Sequence, residues 1–460
     1  MNFLRPGTEP RPYAANSTGR LRGTLRLGTQ VRRVQVYEAV GEARAISADL
    51  NRAIRDYLRD NLQDSASFVV FSLFMVGKSP DRTKPIVMLV SDDKRVRTEA
   101  FRMIKEDSAI MEDFPGFALG HMALSAEYEN LRPLGSPANP TTVNPDSTSF
   151  FVPDETVDVL VREPIASRVR RLAAYSQGGT IIGVAVAEGV FTYKGRYFLH
   201  SARHSLLPAQ QAQSARTLPL TTASDTSEDE GECEIMGLSD DEEEEDELVD
   251  ITSRGSASPV ESGWGSAFDR LSVSQTLDTE YQDSHLGLQS RIETPKILPE
   301  AETARSNTPW TKVGHVALSS ALLDSAFVQI DTSLVGDMVT LRFKALESYH
   351  DYIETAPSDT AIYTSTPNNT IDGTLSGTPS FVRLPGSKIF QEVYTAMLNR
   401  PLVPGDCGSW IKNAMTGKFF GHVIAGSPKT GLVLLIPASR VFAGALDALS
   451  ACDSADSADV

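Results

Sequence analysis

Pro404-Gly405-Asp406-Cys407-Gly408-Ser409-Trp410 is the stretch around which the chain is organised. It sets one glycine two residues before a cysteine and another directly after it. Glycine reaches backbone conformations closed to other residues, so the chain can turn sharply here and approach a substrate closely. In such a turn the amides of Gly405 and Cys407 point at one spot, where they would hold a developing oxyanion. An apolar run follows, Phe419-Phe420-Gly421-His422-Val423-Ile424-Ala425-Gly426, and reads as a buried strand closing on glycine.

Outward from this stretch the pattern stays strand-like. Leu432 to Pro437 reads as another strand, and Ser439 to Leu449 suits a closing helix. Upstream, Phe390 to Met397 leads into the loop. Gly373 to Gly377 and Ser380 to Leu384 read as a hairpin, and Thr360 to Ser365 as a strand. Earlier still, Leu322-Leu323-Asp324-Ser325-Ala326-Phe327-Val328-Gln329-Ile330-Asp331 sets an aspartate at the head of an alternating apolar strand. Before that, Val157 to Val161 and Gly179 to Val186 are apolar, and Gly189 to Leu199 folds around a Tyr193-Lys194-Gly195-Arg196 turn. That hairpin delivers Leu199-His200-Ser201-Ala202-Arg203-His204.

Three of these segments resemble chymotrypsin-like peptidases. The Gly-Asp-nucleophile-Gly order followed by a strand is similar to their nucleophile loop, with cysteine in place of the usual serine. Ser201-Ala202-Arg203-His204 is similar to their Thr-Ala-Ala-His segment, with Arg203 departing from the usual small residue. The segment from Asp324 is similar to the one carrying the triad aspartate. The chain also looks like a family of fungal proteins that pair such a domain with an N-terminal α/β segment.

The resemblance implies a Cys407, His204 and Asp324 triad, in chymotrypsin-like chain order. His204 would take the Cys407 proton, Asp324 would orient the imidazole, and Gly405 and Cys407 would supply the oxyanion hole. The strand Val423 to Gly426, with Ile424, Ala425 and Gly426, would pair with substrate backbone. His422 would alternatively point into a specificity pocket, as a histidine does in picornaviral cysteine proteases. His200 competes with His204, and Asp331 with Asp324. Pro401, six residues before Cys407, gives no guide to specificity. The second functional reading is a catalytically silent interaction module on the same fold, since fold does not imply function.

The expected fold is mainly β with an added N-terminal α/β domain. It comprises a double six-stranded antiparallel barrel of chymotrypsin type, over 156–207 and 300–450, interrupted by a disordered acidic insert over 208–299. Residues 1–30 read as a disordered arm, 31–134 as the α/β domain, 135–155 as a linker and 451–460 as a frayed tail. Within the α/β domain a helix from Ser47, strands at Phe68–Val76 and Pro85–Val90, and a helix capped at Ser91-Asp92-Asp93 are expected. Gly77-Lys78-Ser79 is no phosphate loop, because Ser72 stands where the first glycine belongs.

The net charge is −17, and the 15 acidic residues between Asp225 and Asp250 account for most of it, leaving −2 without them. No basic face points to nucleic acid. Within the insert, Leu248-Val249-Asp250-Ile251 resembles a SUMO-interacting motif, and Ser227 and Ser239 precede acidic clusters. The expected partners are a peptide or protein substrate and a protein binding the acidic insert, with no nucleic acid and no membrane. Three cysteines make no disulfide framework, and the N-terminus lacks the apolar core of a secretion signal. An intracellular location, cytoplasmic or nuclear, is expected, with no metal and no cofactor.

Overall fold

The computed structural model describes residues 14–27, 32–63, 67–123, 150–153, 156–162, 169–175, 181–207, 234–236, 309–334, 343–354, 358–383 and 388–458. Most of the acidic insert, including Leu248, Val249, Asp250, Ile251, Ser227 and Ser239, lies outside them, as does most of the linker.

The N-terminal part carries β1 (Thr18–Leu27), β2 (Arg32–Ala39), β3 (Val69–Gly77), β4 (Thr83–Val90) and β5 (Ala118–Met122). Strand β1 lies inside the stretch read from sequence as an arm. The apolar runs of β3 and β4 are buried almost throughout. One face of them receives Leu50, Ile54 and Leu58 from the helix Gly41–Asn61, and Ala100, Phe101 and Ile104 from the helix Lys94–Glu106. The 3.6-residue period puts each trio on one helix face. Asp93 caps the second helix by accepting from the amides of Arg95 and Val96. The first helix starts at Gly41, ahead of the expected Ser47. Gly41 has φ +54° and lies so close to Asn16 that a Cβ would stand 2.3 Å from its carbonyl oxygen. The chain can therefore turn into the helix there, and Ser47 is a buried helical residue bonded to Arg44 O.

A second sheet is built from β6 (Asp158–Val161), β7 (Val169–Tyr175), β8 (Ile181–Glu188), β9 (Phe191–Tyr193) and β10 (Arg196–Ala202). Beyond the three-residue β11 (Glu234–Met236), which pairs with β5, it continues with β12 (Thr311–Ser320), β13 (Ser325–Ile330) and β14 (Lys344–Ala345). Its order is β14-β9-β10-β13-β12-β6-β7-β8. The β9–β10 connection has Lys194 at φ +46° and Gly195 at φ +78°, the paired positive angles that match a tight hairpin to strand twist.

The barrel is formed by β15 (Thr360–Ser365), β16 (Thr370–Arg383), β17 (Phe390–Leu398), β18 (Trp410–Asn413), β19 (Phe419–Gly426) and β20 (Leu432–Pro437). These six antiparallel strands close in the order β15-β16-β17-β20-β19-β18 and back to β15. Strands β19 and β20 are buried along their whole length, as their continuous apolar sequences require. Two closed barrels were expected. One closes; the β6–β14 sheet stays open, since no pairing among the described residues joins β8 to β14. Strand β16 is long enough to leave the barrel, and its Ser380–Arg383 end pairs with Val69–Ser72 of β3. The barrel and the N-terminal strands thereby share one continuous sheet. The closing helix, Ala438–Ala458, runs into the expected tail. Its Phe442 stacks on Trp410 at 5.2 Å, and Trp410 stacks on Phe419 at 4.9 Å. Among the described residues no helix is long and apolar enough to cross a membrane.

Candidate active site

The Pro404–Trp410 loop is pinned from three sides. Asp406 N donates to Val403 O at 3.1 Å, and Asp406 Oδ2 accepts from Val403 N at 3.0 Å, closing a small turn that holds Gly405 at φ +98°. Gly408 N donates to Val423 O at 3.0 Å, tying the loop to β19. Val186 N of β8 donates to Cys407 O at 2.9 Å, tying it to the other sheet. Gly408 has φ +90°, and a Cβ there would lie 2.4 Å from Val186 O and 2.9 Å from Ala202 N. Only glycine allows that approach, and Ala202 is the residue from which β10 runs into His204.

His204 sits in the short helical turn Arg203–Leu206 at the end of β10. Asp324 stands just before β13, and the pairing of β10 with β13 (Ala202 opposite Ser325) brings the two residues together. Both carboxylate oxygens of Asp324 are used by His204: Oδ1 accepts from the backbone N at 2.9 Å, and Oδ2 is hydrogen-bonded to ring Nδ1. That leaves Nε2 as the nitrogen available for proton transfer. Burial opposes protonation of His204, but the Asp324 carboxylate, with a contribution from Cys407, holds its pKa well above the ordinary histidine value.

Asp324 itself has φ +42°, a left-handed conformation that asparagine and aspartate tolerate better than most residues. The turn before it is clamped. Gln391 Nε2 of β17 donates to Leu322 O at 2.5 Å, and Ser320 Oγ accepts from Leu323 N at 3.2 Å. The Asp324 carbonyl accepts from Arg203 N at 3.0 Å and from His422 Nε2 at 3.2 Å. Arg203, the departure from the usual small residue, lies over the Phe151 ring at 6.0 Å.

The remaining candidates fall as follows. Cys407 is fully buried, and its Sγ donates to Ile424 O at 3.3 Å. Nε2 of His204 is likewise buried. The two groups are close enough that a Cys407 thiolate would raise the affinity of His204 for a proton by charge and by direct bonding. Ile424, Ala425 and Gly426 are buried in β19; β18 pairs with β19 only as far as His422, so among the described residues no strand pairs with their β18-side edge. His422 is wholly buried behind Asp324, edge-on to His200 at 4.8 Å, and burial pushes its pKa down to about 4. His200, hydrogen-bonded to Ser325 Oγ at 2.9 Å and packed on Trp410, is likewise pushed well down by burial. Asp331 follows β13 and opens the next turn, accepting from Leu334 N.

Sequence reasoning assigned no anchoring role to His422 or Gln391. A signal for the first existed: a histidine inside an unbroken apolar strand must be buried, and a buried polar group needs a partner. Gln391 gave no comparable signal, because its partner carbonyls lie about 70 residues away. The sequence matches no protein-family model and no curated protein.

Proposed function

We propose that the chain is a chymotrypsin-like peptidase of the cysteine type, acting on peptide or protein substrates. In this reading the closed barrel is the second barrel of such an enzyme, and the open eight-stranded sheet is the counterpart of the first. The observation that supports it is the His204 ring, bonded through Nδ1 to a buried, clamped aspartate and standing beside Cys407. Nε2 takes the Cys407 proton, and the thiolate attacks the scissile carbonyl. The amides of Gly405 and Cys407 hold the oxygen that gains charge. Protonated His204 then gives its proton to the departing amine, and water, deprotonated by His204, hydrolyses the thioester. Asp324 fixes, through Nδ1, which nitrogen faces the thiol. No metal or cofactor enters these steps.

Substrate backbone would lie along Ile424–Gly426, and this requires the thiol to leave Ile424 O. The burial of Cys407 and its bond to that carbonyl favour a second reading, a protease-fold interaction module without turnover. A peptidyl acyloxymethyl ketone, which alkylates a thiolate only when a paired imidazole assists, separates the two. The peptidase reading expects one adduct per chain at Cys407, lost in His204→Ala. An unlabelled Cys407, with the fold intact, would support the module.

A further inference from the structure

The β5 edge of the N-terminal sheet carries an unusual neighbour. Strand β11 is three residues long and comes from the acidic insert: Glu234, Ile235 and Met236 pair antiparallel with His121, Gly120 and Leu119. Its fit is specific at one position. Ile235 lies opposite Gly120, and a Cβ on Gly120 would stand 3.0 Å from Met88 Sδ and 3.1 Å from Ile235 Cγ1. The missing side chain makes a hollow floored by Met88, and Ile235 fills it while packing against the main core cluster. Leu119, one residue along, faces the helices instead, so the hollow accepts one side chain of the incoming strand.

Three residues are few for a strand, against a usual five or six. The segment is joined to Leu207 through 26 residues, and closing such a loop costs entropy that a short pairing must offset. An edge held by so short a cis segment is open to exchange, because an extended peptide supplies the same backbone bonds. The side chain that defines what fits is Ile235, an aliphatic residue opposite Gly120.

We propose that the β5 edge is a strand-docking site, occupied in cis by Glu234–Met236 and exchangeable for a partner protein's extended segment that sets an aliphatic residue opposite Gly120. This inference does not depend on the catalytic reading. A tethered occupant acts at an effective concentration on the order of millimolar, so the cis segment screens out weak ligands.

The test uses the full chain and a fluorescein-labelled peptide with the sequence of residues 229–239, carrying Cys233→Ser. Ile235→Asp in the protein removes the side chain that fills the Gly120 hollow and so empties the edge. Anisotropy titration should show that this variant binds the peptide at least tenfold more tightly than the unaltered chain. Adding Gly120→Val to Ile235→Asp should abolish binding while β3 and β4 keep their protection from hydrogen exchange. Equal binding by the unaltered and Ile235→Asp proteins would overturn the proposal. So would binding that survives Gly120→Val, or a dimer of the unaltered chain that Ile235→Asp converts to monomer, which would assign the edge to a second copy.

Discussion

His422 should make this fold acid-labile in a way that one substitution removes. Its ring is wholly buried, and Nε2 donates to the Asp324 carbonyl, so the folded chain holds it neutral with a pKa of about 4. An unfolded chain returns it to about 6.5. The unfolded state therefore binds more protons through this residue, and its contribution to stability is present above pH 6.5 and lost as pH falls toward 4. Between pH 7 and pH 4.5 the loss amounts to roughly 2 to 3 kcal/mol. His422→Gln keeps an N–H that reaches the carbonyl and does not titrate. Urea unfolding followed by tryptophan fluorescence, with Trp410 in the adjoining aromatic cluster, measures both proteins at the two pH values. The unaltered protein should lose roughly 2 to 3 kcal/mol more than His422→Gln across the interval. Equal losses would refute the assignment of His422 as a neutral anchor of Asp324.

Three further outcomes follow from named contacts. Asp324→Asn leaves one acceptor where His204 uses two; the backbone N–H keeps the oxygen, the amide nitrogen meets Nδ1, and the ring proton moves to Nε2. Peptide turnover should then fall by about 10⁴-fold, the scale of the same change in a serine triad, while thermal unfolding shows the fold retained. Gly408→Ala forces a Cβ to within 2.4 Å of Val186 O at φ +90°; a loss of about 1 to 3 kcal/mol from backbone strain alone is expected by denaturant titration. Lys412 and Glu188 form a buried ion pair between β18 and β8. Lys412→Met removes the cation facing a buried carboxylate and should cost about 3 to 5 kcal/mol, and adding Glu188→Gln should recover much of it.

The strands were the legible part of the chain. Runs such as Phe419–Gly426, apolar but for His422, and Leu432–Pro437 read as buried strands, because they are too short for helices and are bounded by turn residues. The loop at Cys407 was legible for a related reason, since its glycines mark φ values that the structure carries at +98° and +90°. The joining of β16 to β3 was not, as nothing local distinguishes a strand that ends with its barrel from one that continues into a neighbouring sheet. The start of the first helix was misread because Ser47 looks like a cap, whereas the turn is made by Gly41 against Asn16. The pairing of His204 with Asp324 depends on residues 120 positions apart, which spacing alone does not bring together. Asp406 is a residue whose bond is local: its carboxylate accepts from Val403 N within the same loop.

The central claim is that His204 and Cys407 share a proton under the control of Asp324. The pH dependence of Cys407 alkylation between pH 5 and 9, read by peptide mass spectrometry, tests it most directly, with Cys452 as the comparison in the same sample. An ordinary thiol has a pKa near 8.5, and its rate rises about tenfold per pH unit below that value. The account predicts a rate at Cys407 that is nearly flat from pH 6 to 8 and becomes steep in His204→Ala. A Cys407 that follows Cys452 at every pH, or that stays unreactive throughout, would contradict it.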